Sequence, residues 1–340
     1  MDKKKILITG FSGFVSRHLL AYMQENDHDV DVCGIDINPP AFDLAAFPDI
    51  TVTYHMVNLL KTDEVKCLLE KFRPDYIIHL ASFSSVAYSW KHPIECFQNN
   101  TNIFLNIIAV VQELHLKCRV LSVGSSEEYG NVTEADLPLR EDRSLTPCSP
   151  YAVARVAQEM LSRVYADSYG VDIIMTRSFN HIGPWQDTRF VIPGFISRIA
   201  AIKRAGETSG TIETGDLSIV RDFVDVRDVV RAYYHLLLHG KSGELYNICS
   251  GTGIRLSDIM DRIAGIIGIK VDTVVNPDYV RLNDNRIIVG SHEKISADIG
   301  WEPVIPLDVT LRDMIGCERG LQINGTKHHE KTNQCNYSEL

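Results

Sequence analysis

The feature that most constrains this chain is a short apolar run, Lys5–Thr9, that breaks into Gly10-Phe11-Ser12-Gly13-Phe14-Val15-Ser16 and then into an amphipathic helical stretch. Glycines at such a junction let the backbone turn tightly and come close to a ligand. The helix that follows offers unpaired N–H groups and the positive end of its dipole at the same place. A strand, a glycine turn and a helix in that order open a βαβ unit. Further runs rich in Val, Ile and Leu follow at Val30–Asp36, Thr51–Val57, Tyr76–Ala81, Arg119–Gly124 and Val171–Ser178, separated by segments long enough for crossover helices. Strands that are apolar on both faces belong in a parallel sheet covered on both sides, so the fold class is α/β and doubly wound.

After Asn180 the rhythm changes. Helical patterns near Val191–Lys203, Val226–His239 and Leu256–Ile267 stand among short strands such as Glu244–Ile248 and Val271–Val275. Residues 1–180 are therefore expected to form a Rossmann-type dinucleotide-binding unit, with segments near 217–248 contributing to it. Residues 181–317 are expected to form a smaller, interleaved substrate-binding region. The tail 318–340 is polar, rich in Asn, Lys and His, and is expected to be disordered. His328 and His329 read as part of a solvated tail rather than as metal ligands.

A net charge of −10 argues against nucleic acid as the main partner, since phosphate-backbone binding needs a basic face. An anionic ligand must then be gripped locally. The stretch Met1–Thr9 is too short for a signal-peptide core or a membrane span, so a cytoplasmic protein with no membrane partner is expected. The eight cysteines show no CxxC spacing, and most read as buried apolar groups, with neither disulfides nor a metal site expected. The Asn-x-Ser/Thr matches at Asn99, Asn131, Asn324 and Asn336 matter only in a secreted protein and read as chance.

Asp36 ends the second strand, at the distance from the glycine turn where an acid accepts hydrogen bonds from an adenosine ribose and repels a 2′-phosphate. No arginine follows it, so NAD(H) is the expected cofactor. Asn58, after the third strand, suits either an adenine contact or a turn. Tyr151 follows Ser149-Pro150 and opens a helix on which Arg155 shares its face. A cation there favours the phenolate and proton exchange with a substrate oxygen. Ser125 and Ser126 end the fifth strand, at the carboxyl edge where such sheets bind ligands.

These residues fall in motifs that resemble the extended short-chain dehydrogenases/reductases: TGxxGF at Thr9–Phe14, HLA at His79–Ala81, GSSEEYG at Gly124–Gly130, SPYxxxR at Ser149–Arg155 and RDFVDVRDVV at Arg221–Val230. Within that family, Ser84–Trp90, Arg177–Gln186 and Tyr246–Gly251 are most similar to GDP-4-keto-6-deoxy-D-mannose reductases, relatives of the GDP-mannose 4,6-dehydratases. The resemblance implies hydride transfer from NAD(H) to C4 of a nucleoside-diphosphate 4-keto sugar. Tyr151 would donate the proton, and Ser125 would bond the same oxygen. Gly10, Phe11, Ser12, Gly13, Phe14, Asp36, Ile37, Asn58, Leu59, Leu80, Ala81, Ser82, Asn100, Tyr151 and Arg155 would lie around the cofactor. Asn180, Val191, Arg221 and Arg281 would lie around the substrate, with the arginines at the diphosphate or in structural ion pairs. Ser84 and Ser85 suit either the sugar or a helix cap, whereas Arg227 and Arg231 read as solvated or paired with neighbours.

Three positions depart from the family pattern. Ser16 replaces the third glycine of the turn, Asn102 replaces a glycine after Asn100, and Arg155 replaces the catalytic lysine. Arginine keeps the charge, but its planar head is larger. Three outcomes are open: a site rebuilt around a guanidinium, tightly held NAD(H) in another half-reaction, or a binding protein without catalysis. Glu127 stands where dehydratases carry a base, which keeps a 4,6-dehydratase, C4 dehydrogenase or epimerase as the alternative. Wide apolar faces near Ile94–Leu116 and Tyr151–Tyr169, the helices through which the family pairs, imply a homodimer.

Overall fold

The computed structural model describes residues 3–280 and 285–318. Arg281, His328 and His329 lie outside them. The first half runs β1 (Lys4–Thr9), α1 (Phe14–Asn26), β2 (Val30–Asp36), β3 (Thr51–Met56), α2 (Thr62–Phe72), β4 (Tyr76–His79), α3 (Val86–Lys91), α4 (Pro93–Glu113), β5 (Arg119–Ser125), α5 (Pro150–Tyr169) and β6 (Asp172–Ser178). The second half runs β7 (Asn180–Ile182), α6 (Val191–Arg204), β8 (Ser209–Thr214), β9 (Val220–Asp225), α7 (Val226–His239), β10 (Leu245–Ile248), β11 (Gly253–Arg255), α8 (Leu256–Ile267), β12 (Lys270–Val275), β13 (Ile287–Ile288), α9 (Glu293–Ile299) and α10 (Leu307–Gly316).

Seven parallel strands form the main sheet in the order β10-β6-β5-β4-β1-β2-β3. The chain reverses direction across the sheet between β1 and β4, and ligands of such sheets bind in the crevice that this reversal opens. Strand alternation divides the core into two layers. Ile6 and Ile8 face Leu19, Leu20, Met23, Val229, Tyr233 and Leu236 of α1 and α7. Leu7, between them, faces the opposite layer with Val65, Leu69, Phe104, Ile107 and Ile108 of α2 and α4. Both faces are thus buried, as the apolar strands require.

A separate core joins α6, α8 and α10 through Ile192, Phe195, Ile199, Ile259, Ile263, Leu311 and Ile315. Here β9 pairs with β7, β11 and β13, and β8 pairs with β12. The segment 217–248 therefore divides between the two parts. Helix α7 and strand β10 serve the main sheet, but β9 belongs to the smaller one. Strands β7, β11 and β13 are two or three residues long, too short to show a period in the sequence. Among the described residues no helix is long and apolar enough to cross a membrane. Cys33, Cys96, Cys118 and Cys249 are buried, while Cys67 and Cys317 are exposed.

Candidate active site

The glycine turn is built for close approach. Gly10 adopts φ +69°, and a Cβ there would stand 2.7 Å from the Ala81 amide nitrogen. Any side chain would therefore collide with the backbone that follows β4. Gly13 is the N-cap of α1, and no side chain caps that end. The first-turn N–H groups of a helix have no intrahelical partner, and a helix start without a side-chain cap is suited to a pyrophosphate. Ser16 is fully buried, and its hydroxyl donates to Gly10 O at 3.2 Å, so this departure from glycine is absorbed by a bond to the turn itself.

Asp36 fastens the turn to β2. Its Oδ2 accepts from the Ser12 N–H at 3.0 Å and the Ser12 hydroxyl at 2.7 Å, and its Oδ1 accepts from Asn38 N at 3.0 Å. Ile37 is exposed beside it. The Phe11 side chain, by contrast, is fully buried against Phe42 and Tyr54. The Phe11 side chain thus belongs to the core, and its backbone belongs to the turn. Asn58 takes the turn role, accepting Leu60 N–H at 3.0 Å, and Leu59 is buried.

Two residues fix the segment after β4. Thr9 Oγ1 accepts from Ala81 N at 3.1 Å and lies 2.9 Å from His79 Nδ1. Burial, aided by the Arg155 charge, lowers the His79 pKa to about 3, so the imidazole is neutral. Asn100 is fully buried and grips Phe83 at two points, accepting its N–H at 2.8 Å and donating to its carbonyl at 3.1 Å. Asn100 thus holds the Ser82–Ser85 loop from behind. Ser85 caps α3 through Tyr88 N at 3.1 Å, the helix-cap reading of this position, and Ser84 is exposed.

The helix α5 starts where it must. Ser149 caps it by accepting Ala152 N at 3.1 Å, and Pro150 sits in the first turn, where its missing N–H costs nothing. Tyr151, 6% exposed, and Arg155, 5% exposed, then lie one turn apart. Arg155 Nε donates to Tyr151 Oη at 3.2 Å, and Nη1 donates to Val123 O at 3.0 Å and to Gln158 Oε1 at 2.7 Å. Nη2 donates to the Ser82 hydroxyl. Gln158 is held in turn by Ser122 Oγ at 2.9 Å and Val123 O at 3.1 Å. The departure from lysine is therefore accommodated by a fork of neutral acceptors fitted to a guanidinium. The reading of the sequence missed Gln158. Its signal is Arg155, Gln158 and Ser162, polar residues at helical spacing on a face that turns out to be buried.

Ser125 and Ser126 are nearly buried at the end of β5, and the Ser125 hydroxyl accepts Glu127 N at 3.3 Å. Glu127 is partly exposed on the same turn. On the far side of the crevice, Asn180 pairs with Phe223, two residues along β9 from Arg221. Arg221 is buried, and its Nη1 donates to Val220 O at 3.0 Å and Asn285 O at 2.6 Å. Asp222 accepts from Ser250 N and Oγ, Gly251 N and Gly290 N, which ties the end of β10 to β9. Val191 is exposed at the start of α6. Arg227 pairs with Asp225 and Asp313, and Arg231 pairs with Asp228, so both are structural.

The molecule thus sets a phenol with a fixed cation beside a dinucleotide cradle and a second wall carrying a buried arginine. A family model for GDP-mannose 4,6 dehydratase matches residues 7–314. The GDP-6-deoxy-D-mannose reductase of Pseudomonas aeruginosa is 33% identical over 312 residues, which cover 92% of this chain and 96% of that protein. The solved structure of RMD from Pseudomonas aeruginosa complexed with NADPH is similar with a TM-score of 0.79 at 31% identity, covering 93% of this chain and 97% of that one. The UDP-glucose 4-epimerase of Thermus thermophilus in complex with NAD has a TM-score of 0.80 at 25% identity, covering 93% and 99%.

Proposed function

From the premise that the chain belongs to the GDP-mannose 4,6 dehydratase family, within the extended short-chain dehydrogenases/reductases, we propose that it reduces a 4-keto-6-deoxy sugar linked to a nucleoside diphosphate, with GDP as the nucleotide. The observation that carries this reading is the bond from the buried Arg155 guanidinium to Tyr151 Oη, at the carboxyl edge of the sheet and beside the glycine turn. It also favours a site rebuilt around arginine over a binding protein without catalysis. The likeness to a reductase over nearly the whole of both chains favours reduction over dehydration.

The cradle fits a nicotinamide dinucleotide, because a Cβ at Gly10 has no room and the first turn of α1 carries no side-chain cap. Gly10–Phe14 would hold the pyrophosphate and Asp36 the adenosine ribose, and the reduced dinucleotide supplies a hydride when bound. Asp36 disfavours a 2′-phosphate, so the cofactor is NAD(H), although the RMD structure contains NADPH. Tyr151 gives its proton to the keto oxygen as that oxygen becomes a hydroxyl. The Arg155 Nε–H and the guanidinium charge stabilise the phenolate left behind. Ser125 donates to the same oxygen, and Arg221 with Asn180 serves the diphosphate.

The second reading, a dehydratase or epimerase, is favoured by Glu127, a partly exposed carboxylate on the serine turn. Incubation with GDP-mannose and no added NADH separates the two: a dehydratase consumes it, and a reductase leaves it untouched. Loss of NADH absorbance with a GDP-linked 4-keto-6-deoxy sugar is the expected positive result. Tyr151→Phe should slow this step by about 10²- to 10⁴-fold while leaving dinucleotide affinity intact. Equal single-turnover rates in parent and variant would remove Tyr151 from the proton transfer.

The active unit is a homodimer. Ile94 and Phe97 on α4 and Val153, Met160 and Val164 on α5 are exposed apolar residues on two helices that pack together, the kind of surface a second copy covers. A light-scattering mass of one chain at micromolar concentration rejects the dimer.

A further inference from the structure

Beneath the Ser125–Glu127 turn lies a buried carboxyl that the chemistry above does not use. Glu128 is wholly buried, and its Oε1 accepts the Ser125 N–H at 2.7 Å in a capping box. A Cβ on Gly124 would stand 2.5 Å from that oxygen, so the side chain lies flat against the end of β5. Its other oxygen, Oε2, meets no N–H or O–H donor. It faces the Glu159 carboxyl of α5, and Arg177 Nε of β6 is 4.0 Å away.

That guanidinium is already committed. Arg177 Nε and Nη2 donate to Glu159 at 2.9 Å each, Nη1 donates to Glu141 O at 3.2 Å, and the cation covers the Tyr129 ring at 4.7 Å. Arg163, at the rim, adds a bond to Glu159 at 3.0 Å. The Tyr129 hydroxyl donates to Asn247 at 2.7 Å, and the Asn247 N–H is taken by Glu141 at 2.8 Å.

Two carboxyls that face each other in a buried site, with one committed buried guanidinium between them, cannot both be ionised without a large desolvation and repulsion cost. A single proton resolves the conflict. Placed on Glu128 Oε2, it supplies the missing donor to Glu159 and leaves Oε1 as a carbonyl oxygen for Ser125. Burial and then the charge of Glu159 push Glu128 well above the usual carboxyl range. Against its own burial, the Arg177 hydrogen bonds hold Glu159 below that range.

We infer that Glu128 is a positioning residue: as a neutral acid bridging Glu159 and the Ser125 amide, it holds the serine turn against the helix that carries Tyr151. Its consequence for turnover rests on the reductase reading, but its protonation and its grip on the turn do not.

Infrared difference spectra of the parent against Glu128→Gln at neutral pH test the proton without substrate. The variant should lose a carboxylic-acid C=O band, and loss of a carboxylate band instead overturns the inference. Amide hydrogen exchange tests the grip. Ser125 should stay protected in Glu128→Gln, which keeps one donor and one acceptor, and exchange faster in Glu128→Leu, which keeps neither. In turnover, Glu128→Gln should lie within about twofold of the parent. Glu128→Leu should lose about ten- to hundredfold in kcat with KM nearly unchanged. An equal loss in both variants, or none in Glu128→Leu, also overturns it. If Glu128→Leu does not fold, the spectra and Glu128→Gln decide. A parent that reduces no 4-keto sugar rejects the reductase reading, while the infrared and exchange results still judge this one.

Discussion

Arg155 and Arg177 are both buried, at 5% and 2% exposure, and both hold the α5 layer to the main sheet. Their surroundings are opposite in character. Arg177 meets Glu159 with two arms, and its charge is cancelled where it stands. Arg155 meets two hydroxyls, a carbonyl and an amide oxygen, and among the described residues no carboxylate pairs with it. A buried cation balanced by carboxylates serves the fold. One solvated only by neutral dipoles keeps its field for whatever enters the site. That field adds to burial in keeping His79 neutral.

Removing each cation should break the molecule differently. Arg177→Met leaves the buried Glu159 carboxylate with only Arg163 at the rim as a counter-charge and should cost about 3–5 kcal/mol of stability, read by urea denaturation. Arg155→Met leaves only neutral groups unpaired and should cost about 1–3 kcal/mol. If the two variants lose the same stability, the distinction between a structural and a functional arginine fails.

Turnover should respond to Arg155. In folded Arg155→Met, single-turnover reduction should fall by about a hundredfold because the phenolate left by proton transfer loses its hydrogen-bond donor. Arg155→Lys restores the family residue but cannot reach Tyr151, Val123, Gln158 and Ser82 with one ammonium, so it should recover only part of the loss. An Arg155→Met single-turnover rate equal to the parent's would show that this cation has no role in proton transfer.

A pH measurement reads the same field through its neighbours. Burial lowers the His18 pKa to about 4, and burial with the Arg155 charge lowers that of His79 to about 3, from an ordinary value of 6.5. Each folded imidazole binds its proton later than the unfolded one. Stability is therefore complete above pH 6.5 and falls on acidification, by about 1.4 kcal/mol per pH unit per histidine through that window. The His79 contribution should stop at a higher pH in Arg155→Met, as followed by imidazole NMR. An unchanged His79 titration would mean that burial alone sets it.

Most of the main sheet was legible because each strand announces itself by an apolar run and each crossover by its length. The glycine turn, the place of Asp36 beside it and the place of Tyr151 at the start of α5 were legible because spacing along the chain fixes them. Less could be read where a role depends on what lies across the fold. Asn100 clamps Phe83, Phe11 fills the core, and Glu128 meets Glu159 from another element; no local pattern distinguishes these from a ligand contact. Likewise β9 carries a motif that is easily read, but pairing with three short strands decided which sheet it joined.

The smallest expected effect concerns Asp36, which serves the turn and the proposed cofactor together. Its Oδ2 takes two bonds from Ser12, and its Oδ1 takes one from Asn38. Each carboxylate oxygen has two lone-pair sites, so Oδ1 can still accept from a ribose hydroxyl while fastening the turn, whereas Oδ2 would have to give up a Ser12 bond to do so. Asp36→Ala removes both functions and should weaken NADH binding by about 1 kcal/mol for each ribose hydrogen bond lost, roughly fivefold. NADPH should lose less, because the repulsion between Asp36 and the 2′-phosphate disappears at the same time. Asp36→Asn keeps one acceptor and the turn but discards the charge, so it isolates the electrostatic part of the preference. Fluorescence titration of both dinucleotides against the parent and the two variants gives the comparison. If the parent already binds NADPH more tightly than NADH, then Asp36 acts on the turn alone and cofactor choice lies elsewhere on the crevice wall.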